Sequence, residues 1–205
     1  MQKQGENMYL TNRDRDILKF IEQYGSITIN QCSKIFFNKC KQNYYQARKR
    51  LRTLYNSKYI KRYRKDMRSE AVYYLDKKLS IHDLKVLDIY AEIINLGAEI
   101  KCFKKEYTIK CKNKEYRADG LIECIRDGYF YPILIEVDYT HFTSNKKLLG
   151  IYNSNYFQNK YKDLDTDIFP TVLIVRPFLS NNINNLPFNI IYSTMCINNI
   201  NTLFN

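Results

Sequence analysis

Three carboxylates stand where two adjacent strands can present them together: Asp119 in "YRADG", then Glu136 and Asp138 in "ILIEVDYTH". Alternation along "YPILIEVDY" puts Ile133, Ile135 and Val137 on one face and Leu134, Glu136 and Asp138 on the other. The turn signal "RDG" folds the strand carrying Asp119 back alongside. Oxygen ligands of this kind suit a divalent cation such as Mg2+, which activates water for phosphodiester hydrolysis. Asp119 and Glu136 are then the candidate metal ligands, with Asp138 as a further candidate catalytic acid. The plainer reading of the same residues is structural: acids at strand ends that cap helices or pair with Arg117 or Lys147.

The elements around these acids read as an α/β domain over residues 80–205. A helix begins at Ser80 with Leu84, Leu87, Ala91, Ile94 and Ala98 on one face. Strand-like segments follow, "IKCF", "EYTIKC", "EYRADGLIEC" and "YFYPILIEVDY", with turns at "KNK" and "RDG". Next come one helix, "SNKKLLGIYNSNYFQNKYKDL", the apolar strand "TVLIVRP", and a last strand-helix pair, "FNIIYS" and "CINNINTLF". The order acid, spacer, acid-x-residue resembles the PD-(D/E)XK nuclease fold, with Ala118-Asp119 for its Pro-Asp and Glu136-Val137-Asp138 for its (D/E)-x-Lys. Asp138 occupies the lysine position, so only Lys146 or Lys147 of the next helix is placed to substitute. That departure favours a non-catalytic version of the fold.

The first 80 residues have another character. They hold 19 Lys/Arg against 7 Asp/Glu, whereas the remaining 14 bases and 14 acids balance, so the whole net charge of +12 lies in this module. Such asymmetry points to a polyanionic partner for one module only. Thr11 with Asp14, and Thr28 with Gln31, are capping-box pairs that open two helices, and Gly25 stops the first. A third helix spans 41–56, with an expected apolar stripe of Tyr44, Ala47, Leu51, Leu54 and Tyr55. "YIKRYR" and "AVYYLDKK", joined by "KDMRSE", read as a hairpin. Three short helices and a basic hairpin over residues 1–79 predict a winged helix-turn-helix, whose third helix enters the DNA major groove. Gln42, Asn43, Gln46, Arg48, Lys49 and Arg50 are the expected groove contacts; Arg52, Lys61, Arg62, Arg64 and Arg68 are expected on phosphates or the wing.

Other features narrow the classes. No apolar run approaches the roughly 20 residues of a membrane span, and "MQKQGENMYL" lacks the pattern of a signal peptide. Six scattered cysteines without C-x-x-C, and only two histidines, argue against zinc and for reduced thiols in a cytoplasm. Cys32, Cys111 and Cys124 sit in apolar patterns and are expected in the core. "SNNINNLPFN" reads as compositional drift.

Taken in order, "LTNRDRDILKFI", "HDLKVLDIYAEI" at 82–93, "RADGLIEC", "LIEVDYTHFT" and the following helix with Lys147 and Tyr152 resemble one family. It is the replication-relaxation family of plasmids, phages and conjugative elements in Gram-positive bacteria, and the resemblance covers roughly residues 10–178. It implies a winged helix followed by a PD-(D/E)XK-like domain, with Glu136-Val137-Asp138 as the family's own pattern. Ala118 stands where that family has Pro, and His141 where small or polar residues are commoner. The expectation is a cytoplasmic, double-stranded-DNA-binding protein of a mobile element, acting in plasmid replication, copy control or conjugative transfer at an origin region. Its partners would be relaxase or replication proteins and a second copy of itself. Binding is favoured over catalysis, with no cofactor. The alternatives are a Mg2+-dependent endonuclease using Asp119, Glu136, Asp138 and Lys147, and a winged-helix transcriptional repressor that senses a small ligand.

Overall fold

The computed structural model describes residues 9–111, 114–164, 167–179 and 185–204. The "KNK" turn lies partly, and the asparagine-rich "SNNIN" wholly, outside them. The chain is mixed α and β and divides into two compact units, Met1–Asn95 and Leu96–Asn205.

In the first unit both capping boxes form. Helix α1 (Asn12–Tyr24) opens at Thr11, whose backbone N–H donates to Asp14 Oδ2 at 2.7 Å, and closes at Gly25 with φ +99°. That backbone conformation needs glycine, and a Cβ there would also stand 3.0 Å from Leu79 Cδ2. Helix α2 (Ile29–Phe36) opens at Thr28, whose N–H donates to Gln31 Oε1 at 3.0 Å. Helix α3 spans Asn43–Asn56, two residues shorter at its start than expected, because Gln42 takes a left-handed conformation (φ 57°) ahead of it. Ala47, Leu51 and Leu54 are buried as the pattern requires. Tyr44 and Tyr55 are not core: they are 45% and 41% exposed, so the buried stripe is narrower than the spacing suggested.

The hairpin strands are short, β2 (Lys61–Tyr63) and β3 (Val72–Tyr74), and they gain an unforeseen partner, β1 (Ser26–Thr28). The sheet order is β1-β3-β2, all antiparallel.

Helix α4 (Ile81–Asn95) moves the unit boundary from residue 79 to Asn95. It packs on α2: Gln31 Nε2 donates to Leu84 O at 3.0 Å and to Asp88 Oδ1 at 2.7 Å, Lys34 pairs with Glu92, and Tyr90 meets the rings of Phe20 and Tyr24. Its buried set is Val86, Leu87, Ile89, Ala91 and Ile93, wider than the one expected face, while Leu84 and Ile94 are only half-buried. A helix apolar on several sides is a core helix, which is why its single-face pattern misled.

The second unit is built on a five-stranded sheet in the order β4-β5-β6-β7-β8. β4 (Glu99–Lys110), β5 (Glu115–Arg126) and β6 (Tyr129–Val137) form an antiparallel meander; β7 (Thr171–Arg176) and β8 (Ile190–Thr194) run parallel to β6. "IKCF" and "EYTIKC" are one continuous strand, bulged between Ile100 and Cys102. The "RDG" turn forms with Asp127 and Gly128 at φ 51° and 84°, two positive angles whose twist suits a two-residue hairpin. The single long helix expected after β6 is broken into α5 (Asn145–Asn153) and α6 (Tyr156–Lys160), with left-handed Asn155 between them. A core cluster joins Ala118, Leu121 and Leu134 to Val172 and Ile174 of β7 and to Leu148, Ile151 and Phe157 of the helices. Cys32 and Cys124 are buried, but Cys111 only packs at the core's margin.

Helix α5 comes close to β5 at Gly150, where a Cβ would stand 2.1 Å from the Tyr116 hydroxyl. Gly150→Ala is therefore expected to cost about 1–3 kcal/mol in chemical denaturation, nearer the low end because the half-buried Tyr116 ring can swing aside.

Candidate functional site

Helix α3 has two flanks with different chemistry. On one, Arg50 reaches Asp14, which is fully buried, and binds both its oxygens. Burial raises the Asp14 carboxyl, but the hydrogen bonds from Arg50 and Thr11 outweigh it and leave it below the ordinary 3.8. Arg50 is thus a fastener between α1 and α3, which corrects its expected place among the groove contacts. Thr11, Arg13, Asp14, Phe37, Gln46, Lys49, Arg50 and Thr53 line a cavity of about 270 Å³ beside this pair. Asp14→Ala removes the cap acceptor and strands Arg50, so a loss of about 3 kcal/mol is expected in urea unfolding at pH 7. Because its pKa is depressed in the folded protein, Asp14 stabilises above the ordinary 3.8, and that contribution is lost as pH falls below it.

On the other flank, Arg48 and Arg52 of α3 meet Arg62 of β2 and Arg64 just beyond it, around a cavity of about 230 Å³ with Ile29 and Tyr73. Tyr73 is 2% exposed; burial raises its phenol, and the charges of Arg62, Arg64, Arg48 and Arg52 oppose the rise. Among the described residues none of the four guanidiniums lies within 4.0 Å of a carboxylate, whereas Lys34, Arg50 and Lys85 in the same unit are all paired. Four like charges without a counter-ion repel one another, and an anion entering that cavity relieves all of them. Arg62 is steadied over the Tyr55 ring at 5.9 Å.

The remaining expected contacts divide. Gln42, Gln46, Lys49, Lys61 and Arg68 are exposed. Asn43 turns its Oδ1 onto the Tyr44 N–H at 2.7 Å, which occupies the acceptor it would offer to a base. Two residues on this face escaped the sequence reading. Tyr45 is 58% exposed next to Gln46. Glu70 accepts from the Asn30 N–H at 2.9 Å, and its carboxyl is raised mainly by burial, restrained by hydrogen bonds from Tyr44, Asn30 and Thr28. An acid in so basic a stretch was the available signal.

The acidic strand end in the second unit is knitted together. Glu136 and Asp138 are each 3% exposed. Lys147 Nζ, from α5, stands 2.7 Å from Glu136 Oε1 and 2.8 Å from Oε2. Thr143 bridges the two acids, its hydroxyl donating at 2.8 Å to Asp138 Oδ1 and standing 3.2 Å from Glu136 Oε2, while its N–H donates to Asp138 at 3.1 Å. Asp119 Oδ2 accepts the Val137 N–H at 2.7 Å. Arg176, unmarked in the sequence, ends β7 buried beside Asp138 at 3.7 Å, between the rings of Phe142 and Tyr192. Glu136 is pushed up to about 7, first by burial, against the pull of Lys147 and with a further push from Asp119. Lys147 thus supplies the cation that the strand itself lacks at position 138; Lys146 and Arg117 are exposed. Among the described residues, no group of three or more His, Cys, Asp or Glu side chains is arranged to hold a metal ion. No helix in the described residues is long and apolar enough to cross a membrane.

Comparison with protein-family models, curated proteins and solved structures finds no match.

Proposed function

We propose that this chain is a double-stranded-DNA-binding protein whose first unit acts as a winged helix. In this reading α3 lies in the major groove, the β2–β3 hairpin is the wing, and Gln46 and Lys49 meet base edges. The observation that carries it is the cluster of Arg48, Arg52, Arg62 and Arg64, four cations with no carboxylate partner among the described residues, at the junction of helix and hairpin. Phosphate oxygens supply the missing counter-charge, and guanidiniums suit them better than ammonium groups do.

The second unit is read as a PD-(D/E)XK-like domain kept for assembly, contacting relaxase or replication proteins or a second copy of the chain. The setting, an origin region of a mobile element, rests on the resemblance to the replication-relaxation family. The second reading, a Mg2+-dependent endonuclease, is favoured by one contact: Lys147 against Glu136. Against it, Glu136 and Asp138 are already engaged by Lys147, Thr143 and Arg176.

Mobility shifts across a salt series, on supercoiled and linear DNA with and without Mg2+, test both. Salt-dependent retention without nicking is the expected outcome. Magnesium-dependent nicking that Glu136→Ala abolishes would establish the endonuclease in its place. No retention at low salt removes the DNA-binding reading.

A further inference from the structure

We propose that Met67 is a wedge that enters a base step from the minor groove and bends the DNA. The inference rests on the DNA-binding reading above and adds an activity to it. Met67 is 94% exposed, more than any other large apolar side chain among the described residues. It stands at the tip of the hairpin, in residues 64–71 between β2 and β3.

That tip is fixed in shape. Asp66 Oδ1 accepts the N–H of Arg68 at 2.9 Å and of Ser69 at 2.7 Å, and its Oδ2 accepts the Ser69 hydroxyl at 2.7 Å. Asp66, the one acid between residues 39 and 68, therefore has both oxygens engaged by hydrogen bonds within the turn. Arg64, Lys65 and Arg68 flank it, all exposed. An apolar side chain held in water between cations matches the cross-section of a minor groove, with phosphates on either wall and stacked bases between.

The length of the loop allows the reach. Four residues out and four back extend at most about 13 Å, against a groove roughly 7.5 Å deep. Methionine is unbranched and adapts to an irregular gap, and apolar wedges of this kind part a base step and kink the duplex by about 20–90°. Pyrimidine–purine steps open most easily, so TA steps are the preferred sites. The bend would lay more of the duplex along Arg62 and Arg64.

The test uses the full chain and a duplex of about 20 base pairs with central TA steps and terminal donor and acceptor dyes. Binding is read separately by anisotropy. Wild type and Met67→Leu should raise energy transfer on binding. Met67→Ala should bind within about tenfold of wild type, because losing the wedge also removes the cost of unstacking, yet leave transfer unchanged. Met67 is so exposed that neither substitution disturbs the fold. Wild type that binds without raising transfer overturns the wedge, as does Met67→Ala that raises it equally. Absence of any binding removes the DNA-binding reading, and the wedge with it.

Discussion

On the DNA-binding reading proposed above, alanine at Arg48, Arg52, Arg62 and Arg64 together is expected to abolish most DNA affinity while leaving the fold intact. Each neutralised phosphate contributes about 0.9 to the slope of log K against log salt, so four contacts remove roughly 3.6 units of slope. At 0.1 M salt that is a loss of between three and four orders of magnitude in affinity. The fold should hold because the four groups have no carboxylate partners to abandon among the described residues, and removing like charges relieves repulsion. Anisotropy titrations at several salt concentrations, beside a urea curve, check both halves. An unchanged salt slope would place the DNA contacts elsewhere. Arg50→Ala is the internal contrast: it should lower stability by leaving Asp14 buried without its partner, and change the slope little.

The second large effect concerns Glu136. Its ordinary pKa is 4.5 and burial lifts it to about 7 in the folded protein. Between those values the folded state holds a proton that the unfolded state has released, so stability falls as pH rises from 4.5 through 7 and is level beyond. The 2.5-unit difference corresponds to about 3 kcal/mol. Glu136→Gln should flatten this part of the stability–pH curve. Lys147→Ala acts on the same group from the other side. Without the ammonium the carboxyl rises further and stays protonated, so the substitution should cost little at pH 6 and about 2 kcal/mol at pH 9. Urea midpoints for the three proteins from pH 5 to 9 are the measurement. A Lys147→Ala penalty independent of pH would mean that its methylene stem, not its charge, matters at this site.

What could be read from the sequence was what short windows encode. Thr11 with Asp14 and Thr28 with Gln31 act within three residues, and "RDG" within one turn, so each appears in the structure where its pattern placed it. Alternation likewise put Glu136 and Leu134 on one face. What could not be read depends on residues far apart in the chain. Nothing near Arg50 shows that its partner lies 36 residues earlier, so it reads like its neighbours Arg48 and Lys49. Lys104 and Lys105 interrupted the apolar pattern of β4 and made it look like two strands; at a sheet edge, charged residues are compatible with one strand and discourage pairing with other chains. Arg176 follows an apolar strand and gives no hint that Phe142 and Tyr192 enclose it.

Helix α4 bears on how the chain can be divided. Ending the first unit at residue 79, where the charge asymmetry ends, would strip Gln31 of Leu84 O and Asp88, and Phe20 and Tyr24 of Tyr90. A fragment taken by recombination or by an experimenter for grafting onto another partner keeps those contacts only if it carries α4 and ends at Asn95.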